Sequence, residues 1–594
     1  MEAHPVRNGC ASVFNGMRFC LGMHLYLFTN TLKNERMRHL LWFILLLAPL
    51  AHAQEQPRFG LPFDFPMLLS ANFGELRPNH FHGGLDIKTQ GTTGHPVHAV
   101  ADGYVSRISV SPSGYGNALY VTHPSGYTSV YGHLDSFSPA LARYVREQQY
   151  RQESFSVNLF PDSTLFRVRE EDVIARSGNT GSSGGPHLHL EIRRTDTNEM
   201  VDPMPFYMSH LRDTRRPLSR GVMLYARPGE GVINGSARKQ VFQWAQGGRS
   251  LTRRVEAWGT IGVAIRANDY MTGTTNVYGV RSVRLLVDSV EVFRSLTDRV
   301  AFDENRAING FIDYDTYQRT RALYAKSYLL PGSRLRLTQS DDPGRGWVRI
   351  DEERDYRFTY ELEDAFGNRS IYAFTVHGRP QPVPEAQRTG NELLRWDAVN
   401  TVTRPGMQLV IPRGMLYEDV DADVQLIADS SAIAFTYQLA DCPVPLHDYC
   451  PLRIGVRRMP VADSTKYYIA ERSGKSLWYV GGGWKDGWLE GRVRALGTYT
   501  VAIDTVAPTI APLNRNQWSA GRLTFRVGDD RSGIKTYRAT VDGRFVLFAC
   551  NSRYNRLTCN LRETDIERGT MHTLELTVTD RCGNVEVWRG RFRY

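Results

Sequence analysis

"GSSGGPHLHLEIRR", Gly181 to Arg194, decides how this chain is read. Its second half alternates polar and apolar residues, the pattern of a half-buried strand. In a strand, residues i and i+2 project from one face. His187 and His189 therefore look into the same space. The first half also fits the G-x-S-x-G pattern of a serine hydrolase elbow, with Ser183 as nucleophile. An elbow needs a strand before the serine and a helix after it. Here Pro186 and a strand follow, so the run reads as a loop that shapes a cleft wall.

Working towards the N-terminus, "NHFHGGLDIKT" spans Asn79 to Thr89. His82 and Asp86 are four apart, and Gly83-Gly84 between them favours a tight loop over a helix. A third histidine, His133, ends the strand pattern in "VYGHLDSF". An HxxxD or an HxH alone occurs often by chance. Two imidazoles and one carboxylate, however, form a nitrogen-rich set that suits zinc and leaves a fourth position open for water. That is the catalytic arrangement, not the closed structural one.

"HFHGGLD", "VYGHL" and "SGNTGSSGGPHLHLEIR", in that order, resemble the lysostaphin/LytM-type zinc endopeptidases, which cut peptide cross-links in bacterial peptidoglycan. The resemblance covers residues 60–210, about a quarter of the chain. It implies one zinc per catalytic domain, held by His82, Asp86 and His189. It implies His133 and His187 as the unligated catalytic histidines, and a small antiparallel β domain with an open cleft. Arg77, His80 and Asn179 are candidates for substrate contact. Arg77 reads equally as a loop brace, and His80 as a residue beside the ligands. Asn179 and Gly181 are expected to shape the cleft wall; His95 and His98 read as structural. "PALARYVREQQYRQ" (139–152) has helical spacing with Leu141, Tyr144 and Val145 on one side. With the residues up to Val168 it forms an insert that either lines the cleft or decorates the domain.

The rest of the chain is read more coarsely. Its 594 residues suggest about four domains. Hydrophobic residues make up 41%, and alternating segments with abundant Tyr and Phe favour β architecture. The net charge of +10 is spread among acidic residues, with no basic arm for nucleic acid. "MRHLLWFILLLAPLAHAQ" from Met37 has a basic start, an apolar run and an Ala-His-Ala close, the pattern of a secretory signal over 37–53. Residues 1–36 read as an extension upstream of the true start. Export to the periplasm or cell envelope follows, with no transmembrane helix expected in the mature chain.

The catalytic domain is expected over 54–216. Immunoglobulin-like β-sandwich domains are expected over 217–385 and 505–594. Residues 266–289 resemble 526–543, and "EDAFGNRS" (363–370) resembles "TDRCGNVE" (579–586). A β domain of unspecified type fills 386–504. The C-terminal domains are expected to bind wall glycan, a protein, or the cleft itself. Export permits disulfides, and Cys442–Cys450 and Cys550–Cys559 could each close a small loop, leaving Cys582 over. "EDVDAD" (418–423) mimics a calcium loop but has Val424 where the loop needs glycine, so it reads as an acidic turn. An inactive wall-binding or hydrolase-activating relative and an adhesion protein are the alternatives. The presence of all five site residues argues for activity.

Overall fold

The computed structural model describes residues 57–339, 343–429 and 432–594. The signal over 37–53 and the extension over 1–36 lie outside the described residues. Strands make up 47% and helices 10%, in agreement with the mainly β, multidomain expectation.

The first sheet holds the sequence motifs. Its main path of seven strands runs through β1 (Leu69–Ala71), β2 (Leu85–Lys88), β3 (Gly103–Val110), β4 (Asn117–Thr122), β5 (Tyr127–Leu134), β6 (Val157–Leu159) and β7 (His187–Arg194), arranged β1-β2-β7-β5-β4-β3-β6, with three short strands paired beside it. Every pairing along this path is antiparallel. Strand β7 shows why it forms. Leu188, Leu190 and Ile192 are fully buried in a core with Leu85, Ile87 and Tyr131. Each such side chain contributes about 1.5–3 kcal/mol on burial. The alternation then forces the intervening polar residues onto the opposite face. In register, His189 pairs with Asp86 of β2 and with Gly132 of β5, which brings the three motifs to one place.

The expected helix is α1 (Pro139–Arg151), with proline in its first turn and Leu141 and Val145 buried against the core. The segment after it adds β6 to the free edge of β3. Residues 217–385 form a sheet of ten strands, joined through a parallel pairing of Val255–Ala257 with Val376–Gly378. Short helices within it (Asn305–Ala307, Ile308–Phe311 and Tyr314–Thr320) pack on Phe73 and Phe81 of the first domain. Residues 386–504 carry two five-stranded sheets, and 505–594 carry two four-stranded sheets.

The cysteine expectation is not met: Cys442, Cys450, Cys550, Cys559 and Cys582 are all free. Cys550 stands opposite Leu557, so Cys559 lies two positions along the neighbouring strand, and Cys450 is buried opposite Val493. Among the described residues, no helix is long and apolar enough to cross a membrane.

Candidate metal centre and cleft

Gly84 brings the first motif into place. A Cβ there would lie 2.3 Å from the Leu190 carbonyl oxygen, so the loop between His82 and Asp86 approaches β7 only as glycine. The result is a triangle of donor atoms. His82 Nε2 lies 2.9 Å from Asp86 Oδ1 and 3.1 Å from His189 Nδ1, which in turn lies 2.8 Å from Asp86 Oδ1. Tetrahedral ligands at about 2.0–2.1 Å from zinc stand roughly 3.3 Å apart, so these donors need only a small spread to fit the ion. The donor chemistry fits as well: two imidazole nitrogens, one carboxylate and an open side.

Each ligand imidazole is oriented by a partner on its other nitrogen. His82 Nδ1 donates to the Asn72 carbonyl (2.6 Å), and His189 Nε2 donates to Glu191 Oε1 (2.8 Å). Asn72 is itself pinned by the next domain, exchanging hydrogen bonds of 2.9 Å with both backbone groups of Gly279. Glu191 is fully buried and also accepts from Tyr115 and Arg193. Burial works against its charge, yet the Arg193 guanidinium and His189 hold its carboxyl down at about 2. Burial disfavours the His189 cation, but its hydrogen bonds to Asp86 and Glu191 push it up to about 9. Burial pushes His82 down.

His133 and His187 face each other across the site with ring centroids 4.7 Å apart. His133 has φ +59°, a left-handed backbone that follows the register shift between β4 and β5 and turns its ring out of the strand. Its Nδ1 donates to the Thr180 carbonyl, and His187 Nδ1 donates to the Gly185 carbonyl, both at 2.8 Å. Burial, with His189 and His187 alongside, pushes His133 down to about 3. Ser183 donates back to Gly185 O within its own loop, in keeping with a wall residue and not a nucleophile.

Above these groups lies an open cleft of about 630 Å³, lined among others by Arg77, Asp86, Lys88, His133, Pro186 and His187. Arg77 reaches Asp86 Oδ2 at 2.9 Å and Glu75 at 3.2 Å, so it both lines the cleft and braces the ligand loop. His80 is exposed on the neighbouring hairpin, with Nδ1 on the Pro78 carbonyl, and does not line the cleft. Asn179 also lies outside the lining. Gly181 has φ +69°, and a Cβ there would meet the Gly116 backbone at 2.3 Å, which agrees with a shaped wall.

None of the lining residues comes from 139–168. The helix instead faces the last domain: Arg146 pairs with Glu563, and Tyr150 packs on Phe545 with centroids 5.4 Å apart. From the same domain, Arg553 donates to the carbonyls of Ser183 and Gly184 on the cleft wall, both at 3.1 Å. Sequence reasoning left the orienting residues unnamed. Glu191 and Arg193 continue the alternation of His187 and His189, and that signal marks them as sharing the site's face.

Residues 80–150 match peptidase family M23, and residues 391–504 match the Zu5-like domain. The likeness to peptidase family M23 thus falls on the segment that holds His82, Asp86 and His133. The chain is 35% identical over 113 residues to the DD-carboxypeptidase/endopeptidase Mpg of Neisseria meningitidis, covering 19% of this chain and 20% of that protein. An uncharacterized metalloprotease of Haemophilus influenzae is 34% identical over 166 residues, 27% of this chain and 29% of that protein. The murein hydrolase activator NlpD of Escherichia coli is 34% identical over 110 residues, 18% of this chain and 22% of that protein. The matched region spans about a fifth of the length of the Neisseria relative.

Proposed function

We propose that the first domain is a zinc endopeptidase that hydrolyses peptide cross-links of peptidoglycan in the cell envelope. The observation that carries this reading is the convergence of His82, Asp86 and His189 beneath an open cleft, with His133 and His187 at its floor. Zinc held by those three residues would polarise the scissile carbonyl and make hydroxide available near neutral pH. Asn72 and Glu191 fix the ligand rings so that the correct nitrogens face Asp86. His133 and His187 both spend Nδ1–H on backbone carbonyls, so each neutral ring presents Nε2 as a proton acceptor. One of them can take the proton of the attacking water and hand it to the leaving amine as the C–N bond breaks. Arg77, at the cleft edge, offers a charged donor to a substrate carbonyl or carboxylate. The signal pattern over 37–53 supports export. The names of the Neisseria and Haemophilus relatives support a peptidase.

A second reading, a hydrolase activator, draws support from the likeness to NlpD. The full set of donors and both auxiliary imidazoles favours the first. The test is digestion of purified cross-linked peptidoglycan, with mass analysis of the products. Wild type is expected to convert cross-linked dimers to monomers with one new amine and one new carboxyl per cut, and His189→Ala to leave them intact. Equal digestion by both would defeat the zinc reading; digestion by neither, with stimulation of another hydrolase, would favour the activator.

A further inference from the structure

Two further clusters carry no imidazole. Asp213, Asp269 and Asp364 bring one carboxylate oxygen each to within 4.8 Å of one another, and so do Asp504, Asp529 and Asp580. The two sets are built from the same three short motifs. Asp213 and Asp504 each begin D-T-x-x-P, in the segments that lead into residues 217–385 and 505–594. Asp269 and Asp529 stand in R-x-x-D-x-x-[TS]-G, and Asp364 and Asp580 in D-x-x-G-N.

Their hydrogen bonds repeat too. Asp213 accepts from the amides of Arg215 and Thr272, and Asp504 from those of Val506 and Ser532. Asp364 accepts from two amides of its own turn and from the Asn368 side chain; Asp580 does the same with Asn584.

What these bonds leave over points to a ligand. In the first cluster Asp213, Asp269 and Asp364 are 8%, 4% and 3% exposed. Asp213 Oδ2 and Asp269 Oδ1 have no hydrogen-bond partner. Among the described residues no lysine or arginine forms an ion pair with any of the three. Leaving buried carboxylate oxygens without a partner costs several kcal/mol, and like charges add to this.

The geometry points to a pair of divalent-cation sites, one at each cluster, that take calcium and tie each connecting segment to the β domain it enters. All-oxygen carboxylate donors select a hard cation over zinc. Burial beneath two turns leaves little room for the several waters that magnesium retains, whereas calcium accepts protein oxygens in irregular geometry. The ion would clamp the connecting segment (Asp213 or Asp504) to two loops of the following domain. The sites lie apart from the peptidase centre and do not depend on the function proposed for it.

The test is calorimetric titration of calcium chloride into the metal-free full-length chain, with thermal unfolding alongside. Two ions per chain are expected, with dissociation constants of about 10⁻³ M or tighter. Asp269→Asn should lose one ion, Asp529→Asn the other, and His189→Ala neither. Asp269→Asn removes a buried charge, so its unfolding temperature without calcium should match or exceed wild type while the calcium-induced rise at that domain disappears. A variant that merely misfolds would lower it in both conditions. No calcium binding by wild type, or binding unchanged in both Asn variants, would overturn the pair; one ion lost only on Asp269→Asn would keep the first site and overturn the second.

Discussion

The cleft and the domain junctions gather metal-binding side chains in opposite ways. At the cleft, two imidazoles and one carboxylate meet on a rigid sheet, and each imidazole is held by a partner such as Asn72 or Glu191. One side stays open to a cleft of about 630 Å³. At the junctions, three aspartates converge from a connecting segment and two loops; the set at Asp213, Asp269 and Asp364 is enclosed and keeps two oxygens with no partner. Mixed nitrogen and oxygen donors with an open face suit chemistry on a bound substrate. Enclosed carboxylates alone suit a structural cation. Donor type and access therefore separate two roles within one chain.

The largest effect expected on this contrast is at the ligands. His82→Ala should abolish both zinc retention and cross-link cleavage while leaving calcium uptake at two ions, measured by elemental analysis on the same preparation. Retained cleavage would erase the distinction. Next comes His133→Ala, which should keep its zinc and lower kcat by about 10²–10⁴-fold, the usual worth of a general acid–base residue. Loss of zinc in that variant would make His133 a ligand instead.

A buried imidazole far from either kind of cluster sharpens the comparison. His447 packs on Tyr417 at 3.9 Å and meets the Gly332 carbonyl at 3.0 Å. Burial, with Arg334 and Arg306 nearby, pushes it down to about 4. The unfolded chain then binds this proton more readily between pH 6.5 and 4, so stability is lost as pH falls through that window. The shift is worth up to about 3 kcal/mol. Thermal unfolding of His447→Gln should lack that share of the acid sensitivity; an unchanged profile would refute it. The smallest expected effect belongs to Glu191→Gln, which weakens zinc binding by about 10–100-fold through the orientation of His189, read by competition with a chromogenic chelator.

The cleft site was legible because its signals are local. The H-G-G-x-D spacing, the two-residue period of "HLHLEIRR" and the ordered motifs all survive without knowledge of the fold. The helix over Pro139–Arg151 was legible for the same reason, but its docking against the last domain was not, since nothing local specifies a partner surface. The aspartate clusters were harder. Their members are far apart in sequence, and only the β pairing joins them. The stretch that most resembled a calcium loop, 418–423, is instead a strand (Val420–Ala422) whose Asp421 accepts from the amides of Thr389 and Gly390. The repeated D-x-x-G-N turns were visible as a repeat, yet their meaning required Asp213 and Asp504 beside them. The cysteine pairing failed because closeness in sequence says nothing about facing positions across a sheet.

Whether one zinc at His82, Asp86 and His189 drives peptide hydrolysis is decided by titrating zinc into the metal-free chain at constant calcium, with cross-link cleavage measured at each step. The rate should rise linearly and break at one zinc per chain. Full activity without zinc, or no cleavage at any zinc level, would contradict it.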